Sequence, residues 1–186
     1  MEQAVQQLER DLVFHCAPSL SGLKPADLIS WRCARQGAGA VLARYRALLE
    51  GRGVCLRLLR RRGGQYLLLV YRPELLRARL ARPEVAQMLA RAGYPAGMEA
   101  MLRTLSLRLS GEEFPHEVGL FLSYPPEDVE GFCRNKGQNC KLCGLWKVYG
   151  RVDTAEKMFR LYALCREHLY GQLEAGTPFA QLLEAV

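Results

Sequence analysis

Residues 65 to 71 (QYLLLVY) place apolar side chains on both faces of a strand from Tyr66 to Tyr71. A strand with no polar side belongs inside a sheet that is covered on both faces. The run is the second arm of a hairpin. Residues 54 to 61 (VCLRLLRR) precede it, and Arg62, Gly63 and Gly64 supply the turn. A chain built around this pair needs helices on both sides of its sheet, and 186 residues with 49% hydrophobic content are enough for one such domain.

Helical signals surround the hairpin. Val5, Leu8 and Leu12 recur at helical spacing, so a first helix runs over residues 2 to 13 into His15 and is ended by Pro18. Ala17 to Pro25 then reads as a loop, and Asp27 to Trp31 fits a short strand or a helical turn equally well. Val41, Leu42, Tyr45, Leu48 and Leu49 mark a helix over 39 to 50, closed by Gly51 or Gly53. Pro73 and Pro83 open short helices with Arg77, Arg79 and Arg82 outward, and a further helix covers 97 to 109. Residues 118 to 124 (VGLFLSY) read as a buried strand, Pro126 opens a helix that Gly137 follows, and 145 to 149 reads as another strand. Asp153 with Glu156 gives a capping-box start to a long helix carrying Met158, Tyr162, Cys165 and Leu169, and a short helix follows Pro178. The expected fold is a single α/β or α+β domain over residues 1 to 186. Its mixed sheet has about four to five strands, including 54–61, 65–71, 118–124 and 144–149, flanked by helices.

No apolar run reaches the roughly 18 to 20 residues of a membrane span, and the first residues (MEQAVQQLERD) lack the basic start and apolar stretch of a signal peptide. The expectation is a cytoplasmic protein with no membrane partner. Seven cysteines, an odd number, do not suggest a disulfide framework in that compartment. The net charge of +7 is uneven: residues 1–110 hold 18 basic and 8 acidic side chains, residues 111–186 hold 8 and 11. From Arg44 to Arg82, 11 arginines face only Glu50 and Glu74. Arg57, Arg60, Arg61 and Arg62 would be the contacts to nucleic acid or an acidic partner, because guanidinium forks pair with phosphate. Against this, arginine outnumbers lysine 21 to 5 over the whole chain, which a general usage bias explains. Tyr66 and Tyr71 fall on opposite strand faces by parity, so they offer no single platform for stacked bases.

Three segments carry a likeness to a known family. They are His15-Cys16-Ala17-Pro18 with Gly22 and Lys24; Phe114-Pro115-His116-Glu117-Val118-Gly119-Leu120-Phe121-Leu122 running on to Tyr124-Pro125 and Glu127-Asp128-Val129; and Cys143-Gly144-Leu145-Trp146-Lys147-Val148-Tyr149. Together they resemble an uncharacterised bacterial domain-of-unknown-function family of about this length, and the likeness covers nearly the whole chain. It implies no reaction, substrate or catalytic residue. It does mark the HCAP loop, the FPHE segment and the WKVY strand as family-typical. Relative to that pattern this chain has Ser123 where Gly precedes the Tyr-Pro pair, and Leu145 where an aromatic residue is common.

Three constellations in these segments suit chemistry. Cys140 and Cys143 form a CxxC with Cys133 seven residues before Cys140, a partial donor set for zinc or iron whose fourth ligand would be Cys16, His15 or His116. Cys133, placed with Val129 and Phe132, also suits a small core hydrophobe. Cys16 with His116 and Glu117 supplies a thiol, a base and an orienting carboxylate, the parts of a Cys/His-dependent enzyme, with His15 as an alternative base. The segment from Ser19 to Lys24, including Ser21, offers amides, hydroxyls and a lysine to an anion, although it has no Walker spacing. Lys24, His116 and Lys147 would then surround a small anionic ligand near the C-terminal end of the 118–124 strand, with His15, Ser21 and Trp146 as further ligand-binding residues. The expectation is one compact site built from the three family-typical segments, for a small ligand or a metal.

Overall fold

The computed structural model describes residues 2–184. The chain forms two compact units: residues 1–75 with 164–186, and residues 76–163. It is mixed α and β, with nine helices and two antiparallel sheets among the described residues.

The first unit is built on the hairpin. Strands β2 (Cys55–Arg62) and β3 (Gln65–Tyr71) pair antiparallel, β1 (Ala26–Arg32) pairs with the other edge of β3, and the order is β1-β3-β2. The all-apolar strand is therefore the central one. Leu68, Leu69 and Val70 have 0% exposure. Residues 26–32, which local pattern left open between strand and turn, are a strand. Helices α1 (Glu2–Leu20) and α2 (Arg35–Glu50) supply Leu8, Leu12, Val13, Tyr45 and Leu49 to a core with Ile29, Trp31, Leu56, Leu68 and Val70. Leu169 from the end of α8 (Val152–Glu174) and Phe179 and Leu182 of α9 (Phe179–Leu182) complete it.

Pro18 lies inside α1 and does not end it. The helix continues through His15, Cys16 and Ala17 to Leu20, so the HCAP segment is a last helical turn rather than a loop. Proline removes one backbone donor there, and burial of every residue from Cys16 to Leu20 offsets that loss. The turn is closed by amides of the following segment: Ser21 donates to Ala17 O, Leu23 and Lys24 to Pro18 O, and Gly22 to Ser19 O. Arg72 donates Nε to Ser19 O at 2.9 Å and a terminal nitrogen to Leu20 O, a positive group at the negative end of the helix.

The second unit holds α4 (Pro83–Arg91), α5 (Met98–Leu109), α6 (Val118–Phe121), α7 (Pro126–Arg134), the hairpin β4 (Leu142–Cys143) and β5 (Lys147–Val148), and the first part of α8. Residues 118–124 are not a strand: they form α6 and a turn, with Leu122 donating to Val118 O and Tyr124 to Gly119 O. Val118 to Phe121 are all buried, and an apolar run buried on every side has the same pattern in a helix as in a strand. The distinguishing residue is Gly119. A Cβ there would stand 2.8 Å from Tyr124 and 3.0 Å from Val129, so the glycine lets α6 lie against α7. The strand expected at 145–149 shortens to Lys147–Val148, which pairs only with β4. The five strands thus belong to two separate sheets, and 118–124 belongs to neither.

Arg79, on α3 (Pro73–Leu80), points inward, contrary to the outward position its spacing suggests. Its guanidinium donates to Leu120 O at 3.2 Å and Tyr124 O at 2.6 Å, so it holds the carbonyls of the α6 turn.

Candidate functional site

A cavity of about 360 Å³ lies within the second unit, among α6, α7 and the β4–β5 hairpin. Phe114, His116, Val118, Gly119 and Tyr124 line it from the FPHE segment and its turn, Asp128, Val129 and Phe132 from α7, and Cys143 to Lys147 from the hairpin. Two of the three family-typical segments therefore meet at one place. Its volume is in the range of small-molecule sites, and its walls are mostly apolar with a few polar groups.

Aromatic rings dominate the lining. Trp146 stacks on Tyr124 with centroids 4.9 Å apart and planes 24° apart, and meets Phe159 edge-on at 4.5 Å. His116 lies 4.7 Å from Phe132 and 5.9 Å from Phe114. Phe114 and Leu145 are about half exposed at this site.

The indole is held from below. Asp128 is 3% exposed, and its Oδ2 accepts the Trp146 Nε1 hydrogen at 2.8 Å while Oδ1 accepts the amides of Tyr149 and Gly150, each at 2.7 Å. The carboxylate accepts three N–H donors and so anchors both ends of β5. Trp146 and Val148 are buried and Lys147 is half-buried, the alternation expected of a short strand. Lys147 Nζ donates to Gly137 O at 2.6 Å, and an ammonium group keeps two further hydrogens for another acceptor.

Glu117 does not orient His116. Its Oε1 accepts from Arg108 at 2.7 Å and from Tyr94 at 3.0 Å, and Arg108 also lies 4.8 Å over the Tyr94 ring. Burial, with the Glu117 carboxylate beside it, raises the Tyr94 hydroxyl above its ordinary value. The carboxylate is thus part of a structural clamp on α5 and the loop before α6.

The cysteines do not assemble a metal centre. Among the described residues no group of three or more His, Cys, Asp and Glu side chains is placed to hold a metal ion. Cys133 and Cys143 are exposed and Cys140 is half-buried, all as free thiols, so Cys133 is also not the core residue its neighbours suggested.

The remaining residues expected at the site lie in the first unit. Cys16 is wholly buried, and burial pushes its thiol well above the ordinary value, with the Asp27 carboxylate adding to the shift. A nucleophilic thiol needs the opposite, a lowered pKa and access to solvent. His15, one residue earlier on the helix, is exposed and packs edge-on against Phe14 at 5.0 Å. Lys24 is buried in an ion pair with Asp27, whose other oxygen accepts the Ser19 hydroxyl at 2.6 Å. Ser21 Oγ accepts the Cys165 thiol hydrogen at 3.2 Å. The amides of residues 21 to 24 all bond to carbonyls of α1, so the segment expected to bind an anion is a closed helix C-terminus.

The structure thus brings His116, Trp146 and Lys147 together and places Cys16, His15, Ser21 and Lys24 in the other unit. Asp128, Phe132, Phe114 and Tyr124 are site residues that sequence reasoning passed over. No local signal marks Asp128, which reads in the sequence as an ordinary acidic residue in the first turn of α7.

Among the described residues no helix is long and apolar enough to cross a membrane. No curated protein and no solved structure matches the chain. A family model described as a protein of unknown function (DUF3793) matches residues 12–183, a span that takes in the HCAP turn, the FPHE segment and the WKVY strand. The chain belongs to the DUF3793 family.

Proposed function

We propose that the protein binds a small, flat organic anion in the cavity among α6, α7 and the β4–β5 hairpin. The observation that carries this reading is the convergence of His116, Trp146 and Lys147 on one aromatic-lined space of about 360 Å³. Rings such as Trp146 and Phe132 favour a planar, apolar body, because offset and edge-on ring contacts stabilise by about 0.5–1.5 kcal/mol beyond the area they bury. Lys147 supplies a positive charge with hydrogens to spare, and His116 adds a ring nitrogen. Exposed Phe114 and Leu145 extend the apolar surface outward. Neither a transition metal nor a Cys16 nucleophile belongs to this reading, given the burial of Cys16 and, among the described residues, no group of three side chains placed to hold a metal ion.

The test uses an aromatic sulfonate, 8-anilinonaphthalene-1-sulfonate, with calorimetry and tryptophan fluorescence as readouts. The expected result is one molecule bound per chain with quenching of Trp146. Leu145→Asp or Lys147→Gln should weaken binding about tenfold or more, while Leu107→Asp, at an exposed site outside the cavity lining, should not. Binding without defined stoichiometry, or equal affinity in all three variants, would remove the proposal.

A further inference from the structure

The three-stranded sheet carries a second feature, independent of the cavity. Arg32 on β1 and Arg62 on β2 both pair with Gln65 on the central strand. Residues directly opposite one another in a sheet share a face, so Arg32, Gln65 and Arg62 form one row across all three strands. Neighbouring strands lie about 4.8 Å apart, which sets the two arginines about 10 Å apart at their backbones.

A bulge gives this face its charge. The register of β2 against β3 shifts between Leu58 and Arg60, so Arg57 opposes Leu69, Arg60 opposes Leu67 and Arg62 opposes Gln65. All three partners are odd-numbered, and the three arginines therefore point the same way. Without the bulge, Arg57 would face away from Arg60 and Arg62. The extra residue, Leu59, is 3% exposed and anchors the distortion. Arg57 and Arg60 have other contacts. Arg32 and Arg62 are exposed, and among the described residues no carboxylate pairs with either.

The row borders an open cleft of about 680 Å³ lined by Arg32, Cys33, Ala34, Arg62, Gly63, Gly64 and Gln65. Gly63 and Gly64 both have positive φ (53° and 79°), as the tight turn of this hairpin requires, and they leave bare backbone beside the arginines. Gly64 O accepts the Cys33 amide at 3.0 Å, which ties the turn to the end of β1. Gln65 donates to Ser30 Oγ at 2.7 Å and is held in place between the two cations. The aromatic residues of this part of the sheet, Trp31 and Tyr66, are buried on the other face.

We propose that the Arg32–Gln65–Arg62 row and the adjoining glycine turn dock the phosphate backbone of duplex nucleic acid without reading its bases. Guanidinium forks pair with phosphate oxygens, and a glycine turn lets a bulky backbone approach. The two rings beside the row, Trp31 and Tyr66, are buried and present no face to unpaired bases, which favours a duplex, with one charge per about 1.7 Å of axis, over a single strand.

The experiment measures anisotropy of a labelled 20-base-pair duplex with the full chain over about 50 to 200 mM NaCl. Affinity should fall steeply with salt and be equal for AT-rich and GC-rich duplexes. Arg32→Glu/Arg62→Glu should weaken binding about tenfold or more at the lowest salt. Arg32→Gln/Arg62→Gln, which adds no repulsion, should lower the log–log salt slope by about 1.8, the share of two phosphate contacts. Arg91→Glu/Arg103→Glu, the same charge change at two exposed arginines of the second unit, should bind like the parent. Absence of duplex binding, equal loss in both charge-reversal variants, or binding of inorganic polyphosphate but not of duplex would each overturn the proposal. Thermal midpoints of the variants confirm that they are folded.

Discussion

The indole N–H of Trp146 and the buried carboxylate of Asp128 are joined by a 2.8 Å hydrogen bond, and the second carboxylate oxygen ties down the two residues that follow β5. Removing this carboxylate leaves three N–H donors without their acceptor. Asp128→Ala should destabilise the second unit by about 3 kcal/mol, and Asp128→Asn by roughly half of that, because one acceptor oxygen survives while the new amide faces donors. Urea unfolding followed by tryptophan emission measures both. A change below about 0.5 kcal/mol in the alanine variant would contradict this role.

Arg79 holds the α6 turn through two backbone carbonyls while itself 7% exposed. Burial lowers its pKa, and neighbouring Arg82 acts in the same direction, yet a guanidinium stays charged at any ordinary pH. Arg79→Ala should cost about 2–4 kcal/mol through the unmet carbonyls and the space left behind. Arg82→Ala, at an exposed position, should stay within about 0.5 kcal/mol of the parent. Denaturant midpoints at constant m-value separate the two.

Cys16 carries the expected pH dependence. Its thiol is raised well above 9.0 in the folded chain, so the native state holds that proton more firmly than the unfolded state does. The contribution is intact below about pH 9 and is lost as pH climbs through the folded value, because there the unfolded chain gains by ionising. Stability should therefore decline above about pH 9 less steeply in Cys16→Ala than in the parent, although the variant starts lower for its small cavity. Iodoacetamide should leave Cys16 unlabelled in the native protein below that pH and label it after unfolding. Labelling of the native thiol would sink the assignment.

Ser123 has φ of 65°, in the left-handed region that costs an L-residue about 1–2 kcal/mol. It is the position at which this chain departs from the glycine of the pattern it resembles. Ser123→Gly should stabilise by about 0.5–1 kcal/mol, the relief of strain less the added chain entropy of glycine. A lower thermal midpoint for the glycine variant would be inconsistent with strain at this residue.

Much of the fold was legible because its signals are local. The two-glycine turn, the prolines that open α3, α4, α7 and α9, and the apolar stripes of α2 and α5 each act within a few residues. The errors share a cause. Pro18 within α1 and the helical 118–121 segment both depend on burial from all sides, which no local spacing reports. Arg79 looked like a solvated arginine because its acceptors, Leu120 O and Tyr124 O, lie some forty residues away. At the candidate site, His116, Trp146 and Lys147 were recognisable from residue type, but Asp128 was not, since its importance comes from three donors on a distant hairpin. The bulge at Leu59 was invisible to parity reasoning for the same reason.

The first unit is assembled from two stretches of chain that lie on either side of the second. Leu8 and Leu12 of α1 share a core with Leu169, Phe179 and Leu182, so that core is incomplete until residues 169–182 emerge from the ribosome. Translation proceeds at about 5–20 residues per second, so for several seconds the nascent sheet and α1 wait with one apolar side uncovered while residues 76–163 are made. The second unit, continuous in sequence, has no such delay. Its early folding would also draw the two ends of the intervening segment together, shortening the loop that the first unit must close and lowering the entropic barrier to its final packing.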